Sequence, residues 1–179
     1  MKSTPRLAII DWGIGGISIY RLIKSRLGDI PITYLSDTGA TPYGRMSRPQ
    51  LVSRVNEVIA FLQAQGVRHL VIGCNAASTV IPFLNATATA VADLKITGVI
   101  EPAVRLVTGM QPDRLALIGG RRTVLSGVYR RAFAAHGIAV SQRIAQPLSA
   151  LIESGDVSSS ALRAQCRKIL DRKDDCAIR

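Results

Sequence analysis

The chain has 179 residues, 47% hydrophobic and 20% charged, with a formal net charge of +11; that apolar content is enough for one medium or two small cores and excludes global disorder. Its apolar runs, such as residues 7–10 and 70–72, are far too short to span a bilayer, which excludes a membrane-spanning helix among them. Basic residues outnumber acidic ones in both halves, a field that would attract acidic small molecules or nucleic acid without specifying either.

No nucleic-acid motif or aromatic interleaving accompanies that charge, so it reads as a solvated, arginine-rich surface and nucleic acid is not an expected partner. The first six residues hold no apolar segment of signal-peptide length, and a cytoplasmic location is expected. Cys74, Cys166 and Cys176 form no C-x-x-C pair and have no histidine at zinc-ligand spacing, which argues against a disulfide framework and against a metal site.

Along the chain, short apolar runs alternate with helix-period segments, the pattern of a mostly parallel sheet covered by helices. The first expected strand is 6–10, followed by Asp11, Trp12 and the glycines Gly13, Gly15 and Gly16. These glycines suit a tight strand-to-helix turn with backbone N–H groups free to face an anion, and Asp11 reads equally as a plain helix cap. A helix over 16–27 closes at Gly28. Strand 32–35 leads into Asp37 and then Pro42, Tyr43 and Gly44, which also read as a surface turn. A helix over 47–65 closes at Gly66, and strand 68–72 runs into Gly73, Cys74 and Asn75.

Cys74 reads either as a small buried apolar residue or, at a strand end opening a helix over 77–93, as a thiol made acidic by the helix start. On that second reading it is the most acidic of the three thiols, with Asn75 and Ser78 beside it as hydrogen-bonding groups. Strand 96–99 ends at Glu101 and Pro102, a carboxylate that also suits a helix start. Helices over 102–108, 123–136 and 158–171 and strands over 114–118, 138–141 and 175–178 complete the pattern, with Gly137 ending the second of these helices. The expected fold is α/β, two doubly wound, mostly parallel-sheet domains over 1–95 and 96–179 with a cleft between them, the second domain incomplete.

Ligands in open α/β sheets bind beyond the carboxyl ends of the strands. Taken together, the strand ends resemble the glutamate racemases and their aspartate/glutamate racemase relatives. The likeness rests on order: Asp11 with Gly13 to Gly16, Asp37 with Pro42-Tyr43-Gly44, Cys74-Asn75 with Ala77-Ser78, and Glu101-Pro102-Ala103. It continues through Ile118-Gly119, Thr123, Ser126-Gly127, Tyr129, Pro147-Leu148 and Leu151-Ile152-Glu153.

This resemblance implies interconversion of L- and D-glutamate for peptidoglycan synthesis without cofactor or metal, by two cysteines on opposite faces of Cα, in a protein that forms homo-oligomers, commonly dimers. It implies that Cys74 is one of the two thiols, that Asp11 assists it, that Asn75 and the Pro42-Tyr43-Gly44 loop hold substrate carboxylates, and that Thr123 and Glu153 complete the pocket. Trp12 and Ala76 stand at pocket positions where the family usually has serine and threonine, and Gly120 stands where a threonine commonly follows glycine. The resemblance places the second cysteine in a Gly-Cys-Thr-His segment downstream of Cys176, and His69 and His136 read as surface or capping residues. Two expectations follow: a racemase-like chain impaired in turnover, or a catalytically silent protein that binds an acidic amino acid or a related metabolite.

Overall fold

A computed structural model describes residues 7–84 and 94–170. The expected strand over 175–178 and most of the expected helix over 77–93 fall outside the described residues. The chain divides into two compact units, Met1–Glu101 and Pro102–Arg179.

In the first unit, β1 (Leu7–Asp11), β2 (Ile32–Ser36), β3 (His69–Ile72) and β4 (Lys95–Gly98) form a parallel sheet in the order β2-β1-β3-β4. Ala8, Ile9 and Ile10 are fully buried, as expected of a central parallel strand covered on both faces. Helix α1 (Ile17–Leu27) follows β1, and α2 (Arg48–Ala64) follows β2. Ser47 begins α2 with a reciprocal capping box to Gln50, and Pro49 sits in the first turn, where its missing N–H costs no helical bond. Leu51, Val55, Val58, Ile59 and Leu62 make one buried stripe that packs on Ala8, Ile10, Leu70 and Ile72. Gly28 and Gly66 adopt positive φ just past the two helices, as their positions predict.

The expected long helix after Cys74 is not formed in the described part. Helix α3 covers only Asn75–Ser78, and a 3-10 turn follows over Ile81–Phe83. Pro82 supplies no N–H to continue the ladder. Ser78 is also tied into the sheet: its hydroxyl donates to the Ile72 carbonyl at 3.2 Å and accepts from the Val99 N–H at 3.1 Å. That bridge couples β3 to the chain leaving β4, and β4 pairs with β3 through His69↔Lys95 to Ile72↔Gly98. The expected boundary after residue 95 therefore falls one strand too early, because β4 completes the first sheet.

Helix α4 (Ile100–Gly109) carries the chain across the division. In the second unit, β5 (Arg114–Gly119) and β6 (Ala139–Ile144) pair in parallel. The single helix expected over 123–136 is two, α5 (Arg121–Ser126) and α6 (Val128–Ala134). Gly127 breaks it in a left-handed conformation at φ 66°, which only a residue without Cβ adopts at little cost. Helix α7 (Gln146–Glu153) was not expected, although Pro147 in its first turn is a start signal. Helix α8 (Ser160–Leu170) closes the described chain.

Close approach at one glycine sets the packing of the first sheet's loops. A Cβ on Gly73 would lie 3.0 Å from the Gly16 Cα and 3.4 Å from the Ile10 carbonyl oxygen. Both neighbours are backbone, so relief requires the turns after β1 and β3 to separate. Gly73→Ala is expected to destabilise the protein by about 1–3 kcal/mol. Urea unfolding checks this, and a midpoint equal to that of the unmodified chain contradicts the packing described.

Candidate active site

The sheet aligns three strand ends. Strand β1 pairs with β2 through Asp11↔Ser36 and with β3 through Ile10↔Ile72. One residue further on, Asp37 N–H donates to the Asp11 carbonyl at 2.9 Å and Gly73 N–H to the Ile10 carbonyl at 2.8 Å. Asp11, Asp37 and Cys74 therefore leave neighbouring strands at the same edge of one sheet.

Asp11 is 5% exposed. Its Oδ1 accepts from the Trp12 N–H at 2.8 Å and its Oδ2 from the Gly16 N–H at 2.9 Å. The carboxylate thus organises the turn into α1, and its negative charge acts on the neighbouring Cys74 thiol. The backbone N–H groups of Ala77 and Ala76, at the start of α3, favour the thiolate form of Cys74.

The acidity expected of Cys74 is reversed. Burial first, and then the negative charge of Asp11, push the thiol up to about 12. The N–H groups of Ala77 and Ala76 act in the opposite direction but do not prevail. A helix of four residues carries little dipole, whereas a neighbouring carboxylate is a full charge. The thiol is therefore held neutral beside a carboxylate, with two backbone N–H groups that favour the thiolate.

The second cluster fixes the loop that follows β2. Asp37 is 5% exposed, and its carboxylate accepts from Tyr43 Oη at 2.8 Å, from Arg54 Nε at 2.8 Å and from Arg54 Nη2 at 2.6 Å. The guanidinium holds the Asp37 carboxyl below its ordinary value, with the Tyr43 bond adding to the effect. Tyr43 is 1% exposed, and burial together with the Asp37 bond raises its hydroxyl far above the usual phenol range. Its side chain is a core anchor for the loop. The Trp12 indole N–H donates to the Ala40 carbonyl at 2.8 Å, so this ring too is joined to the loop and packs on the core. Pro42 and Gly44 are half-buried, and Arg45 N–H donates to the Pro42 carbonyl at 2.8 Å.

Of the other expected site residues, Asn75 is exposed at the start of α3 and Ala76 is half-buried against the core. Thr123 is buried in α5 and Glu153 is exposed as the last residue of α7, both in the second unit. Arg54 was not singled out from the sequence. Its signal is its place in α2: with Leu51, Val55 and Val58 it follows the helical spacing of the buried stripe, and a charge on such a stripe calls for a buried partner. Among the described residues no group of three or more His, Cys, Asp or Glu is placed to hold a metal ion, and no described helix is long and apolar enough to cross a membrane.

The raised thiol has a direct chemical consequence, because only the thiolate is alkylated. The rate of iodoacetamide modification of Cys74 is expected to climb without a plateau up to pH 10. Asp11→Asn removes the charge that disfavours the thiolate and is expected to speed modification at pH 8 by about tenfold. Mass-mapped labelling across pH checks both, and a plateau below pH 9 in the unmodified chain contradicts the arrangement.

Comparison with known proteins finds the same α/β scaffold in solved structures. Glutamate racemase from Beutenbergia cavernae is 32% identical over 181 residues, covering 99% of this chain and 61% of its own length. Glutamate racemase from Mycobacterium leprae is 38% identical over 136 residues, covering 74% and 49%. The chain thus spans less than two thirds of these curated relatives. Among solved structures, glutamate racemase from Thermus thermophilus in complex with β-chloro-D-alanine superposes with a TM-score of 0.80 at 27% identity, over 96% of this chain and 63% of that one. The Escherichia coli glutamate racemase in complex with L-glutamate and the activator UDP-MurNAc-Ala gives 0.72 at 28%, over 95% and 65%. The Asp/Glu/Hydantoin racemase family model matches residues 7–178, and the chain belongs to that family.

Proposed function

We propose that this chain carries one half of a cofactor-independent, two-thiol site that inverts glutamate, with Cys74 as the group that exchanges the α-proton on one face and Asp11 as its proton acceptor. The observation that supports this most directly is that Asp11 and Cys74 follow the ends of two paired strands of one sheet, where the Asp11 charge acts on the thiol. Inversion at carbon needs an acid and a base on opposite faces of Cα, and the carbanionic intermediate needs fixed dipoles around it. In this reading Asn75 and the backbone of the Pro42-Tyr43-Gly44 loop receive substrate carboxylates. Trp12 and Ala76 line the same region and set its size. The D-glutamate formed is used in the cytoplasm for peptidoglycan, and the protein works as a homo-oligomer. The names of the relatives support glutamate as the substrate.

A second reading is favoured by Trp12, Ala76 and Gly120, which stand where the family usually has hydroxyl side chains. With those groups missing, the chain would be a silent binding protein for an acidic amino acid or a related metabolite. One experiment separates the two. In heavy water, with proton NMR and polarimetry on the same sample, the 179-residue chain is expected to place deuterium at Cα of one glutamate enantiomer without inverting it. Cys74→Ala is expected to lower that exchange by about 100-fold or more, the usual contribution of a positioned general base. Saturable binding without exchange selects the binding protein, and neither binding nor exchange at millimolar glutamate removes both readings.

A further inference from the structure

Three hydrogen bonds that hold the loop over residues 37–44 involve Asp37. The loop starts with Asp37 N–H on the Asp11 carbonyl at 2.9 Å, and Ala40 N–H returns to the Asp37 carbonyl at 3.2 Å. The Tyr43 hydroxyl, the loop's buried anchor, rests on Asp37 Oδ2 at 2.8 Å. Asp37 itself is a buried carboxylate, and burial of such a group is tolerated only with a cation or several donors in contact. Arg54 is that cation. It grips both carboxylate oxygens through Nε and Nη2, and its Nη1 is tied at 2.9 Å to Glu57 one turn further along α2. Nε and Nη2 face Asp37 while Nη1 faces Glu57, which sets the plane of the guanidinium.

We propose that Arg54 is a positioning residue for the substrate-holding loop. It acts through Asp37 and Tyr43, and it fixes the backbone of residues 42–44 from α2 rather than by contact with ligand. The part of this inference that concerns substrate rests on the function proposed above; the part that concerns the loop does not. Removing the guanidinium leaves a buried carboxylate with the phenol as its remaining side-chain donor. Asp37 then turns toward water or takes a proton, and either change releases Tyr43 and the loop. A lysine at this position keeps the charge but not the two-pronged grip, so it restores the loop only in part.

The chain contains one tryptophan, and its indole N–H is bonded to the Ala40 carbonyl inside this loop, so its fluorescence reports loop order directly. Arg54→Met is expected to speed amide hydrogen exchange at residues 38–44 by about tenfold and to shift Trp12 emission to longer wavelength. Glutamate affinity is expected to weaken by about tenfold, because the loop must then be ordered on binding. Amide exchange in β1 and β3 and the pH profile of Cys74 alkylation stay as in the unmodified chain. A general loss of structure would move all five readouts together, which this role does not. Arg54→Lys is expected to give intermediate loop exchange, and it carries the test if Arg54→Met does not fold. Loop exchange and Trp12 emission unchanged in the folded variants overturn the proposal. If the unmodified chain binds no glutamate while Arg54→Met still loosens the loop, the proposed function falls and the role of Arg54 in the loop stands.

Discussion

The geometry of the first unit depends on one buried carboxylate. Asp11 ends the central strand, and each of its oxygens receives a backbone N–H, from Trp12 and from Gly16. Those bonds compensate the burial of the charge and fold the chain back over the strand end. Because Gly16 is drawn in, it meets Gly73 at a distance that excludes a Cβ, and the turn after β3 must lie directly against the turn after β1. That contact brings the chain that carries Cys74 beside Asp11. The group that shapes the turn and the group that raises the thiol are therefore the same, and a substitution at Asp11 changes structure and reactivity together.

The neighbouring loop is held by a different device. Two large side chains hold it: the phenol of its own Tyr43 on Asp37 and the indole of Trp12, from the adjacent turn, on the Ala40 carbonyl. Their polar atoms are already bonded within the protein. On the proposed reading, recognition from this loop falls to its backbone, so the position of the loop matters more than the chemistry of its side chains. A bulky indole in place of a hydroxyl at residue 12 is compatible with that arrangement, since it trades a polar contact for a tether.

What the sequence disclosed follows from where local rules dominate. The strands were legible because apolar runs such as Leu7 to Ile10 have no other use in a short α/β chain, and the glycines at 28, 66 and 137 mark helix ends whose positive φ is a local requirement. The failures lie where long-range contacts prevail. The helix after Cys74 stops because Ser78 is claimed by Ile72 and Val99, and Val99 is 21 residues away in the chain. The helix over 123–136 breaks at Gly127, and nothing in its periodicity distinguishes a helical glycine from a left-handed one. The direction of the Cys74 shift was missed for the same reason. The helix start is visible in sequence, whereas the carboxylate 63 positions earlier becomes a neighbour only through the pairing of β1 with β3. Arg54 was hidden likewise, because its partner Asp37 lies 17 residues earlier, at the end of β2.

A thiol at about 12 bears on the proposed chemistry in a way that can be weighed. At neutral pH, each unit of increase in pKa lowers the thiolate population tenfold, while the strength of the base gained per unit is a fraction of that. Burial beside Asp11 is thus a net loss for removing a weakly acidic Cα–H, and the thiol stays protonated at neutral pH unless a bound ligand offsets the burial or the Asp11 charge.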